Sequence, residues 1–220
     1  FGNAASVLVG DFLYSRAFQM MVALNDMRIM RVLSDATNVI AEGEVLQLMN
    51  CHDAAVDEAG YLQVIRYKTA KLFEAAARLG AMIGGADPDI EHGLATYGMH
   101  LGTAFQLVDD VLDYSGAETD TGKHLGDDLA EGKPTLPLIF VLQNGDSRQA
   151  AAVRQAIENG GREDFPQVLA AIHATGALDF TKRQAAVEAE RASAAIDGLP
   201  ASQYKDSLLE LSLFAVARSY

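Results

Sequence analysis

The sequence predicts an all-α protein. Apolar residues recur with a period near 3.6 along almost the whole chain, and convincing period-two alternation, the pattern of a strand, is absent. Hydrophobic residues make up 50% of the 220 positions, which is enough for a sizeable core. We therefore expect a helical bundle that forms one domain over residues 1–220.

Local start and stop signals divide the first third of the chain into three helices. Asn25-Asp26 separates a first helix over about residues 4–24 from a second over about residues 27–49. Asp57 is a suitable N-cap for a long third helix, because its side chain can accept a backbone hydrogen bond. Gly84-Gly85 is expected to end that helix.

A fourth helix and a polar loop follow. Asp87-Pro88 begins a helix that continues past Asp113, since proline suits the first helical turn. The periodicity then disappears over residues 115–133, and a long loop in a compact domain is usually functional or disordered. Another apolar helix begins near Pro134, and three or four shorter helices are expected within residues 147–219.

Charge and cysteine content exclude several classes of protein. The net charge of -13 argues against a nucleic-acid partner, because no basic surplus is present to bind phosphates. Cys51 is the single cysteine, so an internal disulfide is impossible and a reducing, cytoplasmic location is expected. The most apolar windows, such as residues 136–142, are far shorter than the roughly 20 residues of a membrane span.

Three aspartates interrupt the apolar segment GTAFQLVDDVLDY. On a helix, Asp109, Asp110 and Asp113 project from one side within about one turn, where like charges repel. Carboxylates without nearby His or Cys suit a hard cation such as Mg²⁺. A solvated acidic helix face is the alternative, but the apolar neighbours indicate a pocket mouth. Gln106, one turn earlier, is placed to reach the same cavity.

Basic residues in two segments are candidates for phosphate binding. Lys123 and Lys133 lie in the glycine-rich loop, where backbone can approach a ligand closely and lysine offers a compact charge. Lys68 lies on the third helix, and Thr69 beside it supplies a hydroxyl group. The alternative for each lysine is an ordinary solvated side chain.

The motifs KTAKLF, GxxFQxxDDxxD and GKxxGDDLxEGKPTLP, in that order, resemble those of the trans-type polyprenyl diphosphate synthases. IAEGEVLQLMN and FGNAASVLVGDFLYSRAF are most similar to the long-chain members that make octaprenyl diphosphate. The resemblance implies an isoprenoid synthase-type helical bundle around a central cavity. It also implies a homodimer and a Mg²⁺-dependent condensation of an allylic diphosphate with isopentenyl diphosphate to a long all-trans product, releasing pyrophosphate.

The resemblance also implies roles for individual residues. Asp109 matches a metal ligand, while Asp110 and Asp113 bind the metal through water or tune the site. Asp127 resembles an outer acid of the metal network. The remaining matches are to groups that hold the allylic diphosphate or face the developing allylic cation: Lys68, Lys123 and Lys133 for the former, and Thr69 and Gln106 for the latter.

Product length is expected to depend on the second helix. By the same resemblance, Gln47 and Glu44 lie near the reaction end of that helix. Steps of three or four residues along one helix face then reach Ile40, Thr37 and Leu33, which we expect to line a tunnel progressively farther from the reacting atoms.

The chain also departs from the family pattern. A first DDxxD and an arginine pair would precede Phe1, so we expect the N-terminal part of the domain to be missing from this chain and present in the intact protein. A non-catalytic regulatory subunit of a heteromeric prenyl synthase is one alternative. A class I terpene cyclase is another, which GKPTLP and the Lys68-Thr69 pair disfavour.

Overall fold

The computed structural model describes residues 2–115 and 125–218. Within these ranges the chain forms helices and turns and contains no strand, which confirms the predicted all-α class. The α-helices of these ranges are α1 Gly2–Ala23, α2 Met27–Asn50, α3 Glu58–Ile65, α4 Lys71–Ile83, α5 Pro88–Ser115, α6 Asp127–Ala130, α7 Leu136–Asn144, α8 Ser147–Asn159, α9 Phe165–Thr175, α10 Ala177–Ala195 and α11 Gln203–Ala217.

Helices α1 and α2 have nearly the predicted bounds. Asp26 caps α2 by accepting a hydrogen bond from the Arg28 amide at 2.9 Å. None of the described residues of α1 is buried, and Phe12 of this helix has 66% of its surface exposed. Helix α2 instead packs on α4 through Val32 and Ala36. Within the described residues, α2 is therefore the first helix that contributes buried side chains to the core.

The third helix differs from the prediction in one respect. Asp57 caps it as expected, with a hydrogen bond of 2.8 Å from the Gly60 amide, and Gly84 ends it. Between α3 and α4, however, Arg66–Ala70 forms one turn of π-helix, in which the Lys71 amide also bonds the Arg66 carbonyl. A single π-turn inside an α-helix is often found at a functional site. The sequence pattern does not show the extra residue, because the helical periodicity continues on both sides.

Helix α5 is the centre of the bundle. Asp87 caps its start by accepting a bond of 2.9 Å from the Ile90 amide, and Pro88 occupies the first position. The helix packs against α4, the π-turn, α10 and α11, so Leu101, Leu107 and Val111 are almost completely buried. The α5 segment that combines apolar residues with aspartates is thus part of the core.

The π-turn lies close to the backbones of two neighbouring helices. A Cβ atom added to Gly43 of α2 would lie 2.6 Å from the Lys68 nitrogen. A Cβ atom added to Gly102 of α5 would lie 2.6 Å from the Ala70 Cα. Real Cβ atoms do not approach backbone this closely, so glycine at both positions permits the contact.

The second half of the chain forms the other side of the bundle. Helices α7, α8 and α9 share a hydrophobic cluster with the end of α5, to which Leu138, Val153 and Ile172 contribute. Helices α10 and α11 cover the earlier part of α5. The four helices from Ser147 to Ala217 agree with the three or four predicted there.

Among the residues that the structure describes, no helix is both long enough and apolar enough to cross a membrane.

Gly102→Ala should lower the free energy of unfolding by about 1–3 kcal/mol, because the new methyl group must push the π-turn away from α5. Urea denaturation measures this change. Gly80→Ala is the matched control: Gly80 is an exposed α4 glycine with no atom within 4 Å of an added Cβ. The control should stabilise the protein by about 0.5–1 kcal/mol. Equal effects of the two substitutions would contradict the tight contact.

Candidate active site

Asp109 and Asp110 of α5 line a cavity of about 220 Å³. The cavity lies between α2, α3 with the π-turn, α5 and the segment that leads into α7. Its wall is formed by carboxylates, two lysines, side-chain amides and apolar side chains. Its lining residues are Gln47, Asn50, Val56, Tyr61, Val64, Ile65, Lys68, Thr69, Gln106, Asp109, Asp110, Asp128, Lys133, Pro134 and Thr135.

Asp110 is the most enclosed of the three predicted carboxylates, with 2% of its surface exposed. The Tyr61 hydroxyl donates a hydrogen bond of 2.5 Å to its Oδ2, and the Gln106 Nε2 donates one of 2.9 Å to its Oδ1. A buried charge is tolerated when donors surround it in this way. Asp110 is therefore an ordered part of the wall, whereas Asp109 on the same helix lines the cavity more openly.

Asp113 lies one turn beyond Asp109 and contacts the start of α6. The Asp128 amide donates a hydrogen bond of 3.3 Å to Asp113 Oδ2, and the Gly126 amide bonds the Asp113 carbonyl at 2.9 Å. These contacts bring Asp128 to the cavity wall. The sequence analysis did not select Asp128, although its place in the GDDL motif was the available signal.

The crowding of carboxylates changes their protonation. Burial, with the charge of Asp128 second, raises the pKa of Asp110 to about 8. Burial and the same Asp128 charge raise the pKa of Asp113 to about 7. Ionisation of these carboxyl groups is therefore unfavourable unless a cation lies nearby.

Lys68 projects from the π-turn towards the end of α2. Its Nζ donates a hydrogen bond of 2.6 Å to Gln47 Oε1 and forms an ion pair of 3.2 Å with Glu44. Gln47 and Glu44, which the sequence analysis expected near the reaction end of this helix, thus lie beside the cavity lysine. The π-turn itself is tied to α10, because Arg66 lies 3.7 Å from the buried carboxylate of Glu188.

Thr69 and Gln106 meet across the cavity wall. The Thr69 hydroxyl donates a hydrogen bond of 3.0 Å to Gln106 Oε1. Their motifs are separated by 37 positions in the sequence and are brought together by the contact between the π-turn and α5. Thr69 and Gln106, both predicted to face the allylic cation, are therefore in direct contact in the site.

Lys133 reaches the cavity from the segment before α7. Its Nζ contacts Asp128 at 2.9 Å and Glu131 at 2.7 Å. Burial alone would lower the pKa of Lys133, but its hydrogen bonds and the charges of these two acids raise it above the ordinary value. Lys133 is therefore a permanent cation at the cavity.

His52 fixes the turn that carries Lys133. Its amide donates a hydrogen bond of 2.8 Å to the Gly132 carbonyl, and its Nδ1 lies 3.1 Å from the Ile157 carbonyl. Residue His52 itself has a positive φ of 63°, so the end of α2 turns sharply towards this loop. The sequence analysis did not identify this residue, because the contact joins segments far apart in the chain.

Two loop predictions have other outcomes. Lys123 lies outside the described residues, so its predicted role in diphosphate binding stays a prediction. Asp127, which resembles an outer acid of the metal network, pairs with Arg162 in the structure, and the neighbouring Asp128 faces the cavity instead.

The predicted tunnel residues lie on α2, away from the cavity wall. Leu33 and Ile40 are half-buried, and Thr37 is exposed with its hydroxyl bonded to the Ser34 carbonyl at 2.9 Å. The lining of the cavity, within the described part of the chain, includes none of these three. The tunnel along α2 therefore stays a prediction.

The cavity donors fit a hard divalent cation. Asp109 and Asp128 offer carboxylate oxygens at the wall, and Asp113 lies behind them. Within residues 2–115 and 125–218, no cluster of three or more His, Cys, Asp or Glu side chains is arranged to hold a metal alone. Mg²⁺ is commonly bound by one or two carboxylates together with water and substrate phosphates. Asp109 and Asp128 provide carboxylates in that number.

Comparison with known proteins identifies relatives of the whole chain. Residues 1–172 match the polyprenyl synthetase family. The chain is 52% identical to octaprenyl diphosphate synthase of Haemophilus influenzae, a match that covers 100% of this chain and 67% of that protein. It is also 52% identical to octaprenyl diphosphate synthase of Escherichia coli, covering 99% of this chain and 68% of that protein.

A solved structure shares the fold closely. The polyprenyl synthase of Caulobacter crescentus, crystallised with calcium and isoprenyl diphosphate, superposes with a TM-score of 0.93 at 46% identity. The match covers 99% of this chain and 67% of that one. Sequence and structure agree with the motif-based prediction, and the chain belongs to the polyprenyl synthetase family.

Proposed function

We propose that this chain carries the prenyl-transfer site of a long-chain trans-polyprenyl diphosphate synthase. The enzyme condenses an allylic diphosphate with isopentenyl diphosphate and releases pyrophosphate, with an all-trans product of octaprenyl length. The octaprenyl diphosphate synthases at 52% identity support this product class. The chain spans about two thirds of the length of these relatives.

One observation carries the proposal. A single cavity brings together carboxylates for a cation, lysines for a diphosphate and the Thr69–Gln106 pair for a carbocation. Prenyl transfer needs these three kinds of group next to each other, because breaking the allylic C–O bond creates a cation and an anion at the same time.

Substrate binding is assigned to the lysines. Lys68 and Lys133 face the cavity from opposite segments, and both are compact charges suited to diphosphate oxygens. Lys68 is now held by Gln47 and the exposed Glu44, contacts that a diphosphate can replace. We assign Lys123 to the same diphosphate on the strength of the motif match.

Asp109 would hold Mg²⁺, with Asp110 and Asp113 acting through water or through their charge. The family uses divalent metal ions, and the Caulobacter crescentus relative carries calcium. Mg²⁺ is the proposed ion because it binds through few carboxylates and shares its coordination with phosphate oxygens and water. When bound, the metal neutralises negative charge that develops on the leaving diphosphate.

The rest of the wall stabilises the organic cation and protects it from water. Thr69 and Gln106 present oxygen dipoles, which stabilise positive charge without forming a bond to it. Val64 and Ile65 provide apolar surface beside them. The released pyrophosphate is the proposed base for the final proton, so the site requires no histidine for that step.

We also propose that the enzyme is a homodimer in the cytoplasm. Exposed apolar side chains on α1, such as Leu8 and Phe12, support a further protein surface against this helix. The single cysteine, Cys51, supports a reducing compartment.

Asp109→Ala in the full-length protein should reduce kcat of condensation by at least about 100-fold, because it removes the proposed metal ligand from the cavity. Steady-state kinetics measure the loss, and circular dichroism tests that the fold is kept. Glu158→Ala, at an exposed position at the end of α8, is the control and should retain full activity. Turnover near wild type for Asp109→Ala would refute the assignment.

Mg²⁺ should raise the melting temperature more at about pH 8 than at about pH 5, by several degrees. The folded-state pKa values of Asp110 and Asp113 are raised to about 8 and about 7. Their contribution to stability is present below the ordinary pKa of 3.8 and is lost as the pH rises through the folded values. A cation compensates the charge that then appears.

Differential scanning fluorimetry with and without Mg²⁺ measures this dependence. Asp113→Asn is the matched variant, since it removes one of the titrating groups and should reduce the difference between the two pH values. An equal Mg²⁺ effect at both pH values in the wild-type protein would contradict the electrostatic account.

Thr37→Phe should shift the products towards shorter chains without abolishing the first condensation, because an aromatic ring blocks the proposed tunnel. Mass spectrometry of the products of the full-length enzyme measures this shift. Asp35→Phe is the control, since Asp35 projects from the opposite side of α2. An unchanged distribution from a folded Thr37→Phe enzyme would reject this course of the tunnel.

A further inference from the structure

The imidazole ring of His52 lies between two glycines that belong to other segments. A Cβ atom added to Gly132 would overlap this ring, and one added to Gly160 would lie 2.9 Å from His52 Cε1. Both glycines have positive φ, 69° and 66°. The ring therefore fills space that side chains at these two positions would need. His52 follows α2 and is exposed, so the contact lies at the surface of the bundle.

Hydrogen bonds join the same three segments. The His52 amide donates to the Gly132 carbonyl at 2.8 Å. His52 Nδ1 lies 3.1 Å from the Ile157 carbonyl, and a carbonyl oxygen only accepts, so Nδ1 carries the hydrogen of this bond. The Gly161 amide donates to the Ala130 carbonyl at 3.1 Å. The turn over residues 130–133 is therefore held between the end of α2 and the end of α8.

This turn determines where the side chain of Lys133 starts. The Lys133 amide donates a hydrogen bond of 2.9 Å to the Asp128 carbonyl, and Lys133 lines the cavity. A lysine side chain has many rotamers and loses considerable conformational entropy when a ligand holds it in place. A fixed backbone limits the positions that its Nζ can reach, so less entropy remains to be lost on binding.

We propose that His52 is a positioning residue, which holds the turn over residues 130–133 so that Lys133 is already directed into the cavity when the allylic diphosphate binds. The inference rests on the proposed function, in which Lys133 binds that diphosphate, and extends it to a residue outside the motifs. His52 touches no substrate in this scheme and acts through the backbone of Gly132.

The backbone of His52 determines which substitutions are informative. Its φ of 63° lies in the left-handed region, which glycine and asparagine adopt more readily than most residues. His52→Gly removes the ring and the Nδ1 donor without straining the backbone. His52→Asn keeps a donor, because its amide nitrogen is separated from Cα by as many bonds as Nδ1 is. Since His52 is exposed, neither variant opens a cavity in the core.

Asn25→Gly is the matched control. Within the described residues, Asn25 is the other non-glycine residue with positive φ, 52°. It is exposed, lies in the turn between α1 and α2, and does not line the cavity. The substitution therefore makes the same change of backbone freedom at a similar turn. All kinetic parameters should stay at their wild-type values in this variant.

In the full-length enzyme, His52→Gly should raise KM for the allylic diphosphate by about fivefold, the effect of ordering one rotamer-rich side chain on binding. KM for isopentenyl diphosphate should stay within about twofold, and His52→Asn should restore most of the loss for the allylic substrate. Steady-state kinetics with each substrate varied in turn measure both values. A variant that had merely lost folded protein would show a lower kcat with both KM values unchanged, and this result would overturn the proposal.

A double-substitution cycle tests whether His52 acts through Lys133. Lys133→Met removes the charge and keeps a long, unbranched side chain. In that background, His52→Gly should have no further effect on KM for the allylic diphosphate, because the positioned charge is already absent. Independent, multiplicative effects of the two substitutions would show that His52 acts by another route and would overturn the proposal.

Hydrogen exchange separates this inference from the proposed function, because it needs neither substrate nor turnover. The Gly132 amide donates to the Leu129 carbonyl at 2.9 Å, and the Lys133 amide is bonded as described above. Mass spectrometry of peptides that cover residues 129–135 should show slow exchange in the wild type, faster exchange in His52→Gly and near wild-type exchange in His52→Asn and Asn25→Gly.

Fast exchange of these amides in the wild type would refute the fixed turn, even if His52→Gly failed to fold. Equal exchange in the wild type and a folded His52→Gly variant would refute it as well. A wild-type enzyme that makes no prenyl product would instead overturn the proposed function, and the exchange comparison would still decide whether His52 holds the turn.

Discussion

A buried carboxylate on the central helix is the constraint on which the site depends. Asp110 has 2% of its surface exposed, yet it lies among Leu107, Val108 and Val111 in the core of the bundle. Such a group is tolerated only with hydrogen-bond donors and a compensating cation nearby. Tyr61 and Gln106 supply the donors, and Asp109 and Asp128 line the same cavity, where the proposed cation would lie.

The geometry of the π-turn follows from the same packing. Helices α2 and α5 approach this turn so closely that both contacts occur at glycine, Gly43 and Gly102. Two consecutive residues of the turn, Lys68 and Thr69, line the cavity. A single π-turn inside an α-helix is often found at a functional site, and this one lies at the cavity.

Helix bounds and site residues could be predicted to different extents. Asp57, Asp87 and Gly84-Gly85 mark helix ends through local hydrogen bonding and backbone freedom, so the sequence signals were sufficient. The site aspartates and lysines were found through charge in an apolar segment and through motif resemblance. Tyr61 and Asp128 were missed for different reasons. A tyrosine in a helix pattern looks like ordinary core, and the choice between the two acids of GDDL depends on how α6 meets Asp113.

The sequence by itself determined the helical class, most helix ends and the chemical types gathered at the site, because periodicity, capping and charge are local properties of the chain. The tertiary structure alone decided the π-turn, the hydrogen-bond contacts that link Tyr61, Asp110, Gln106 and Thr69, and the position of Asp128 at the cavity wall. These features depend on contacts between segments that are far apart in the chain. Tyr61 of α3 and Asp110 of α5, for example, are separated by 49 positions. Packing of whole helices sets such contacts, and no local sequence pattern encodes their geometry.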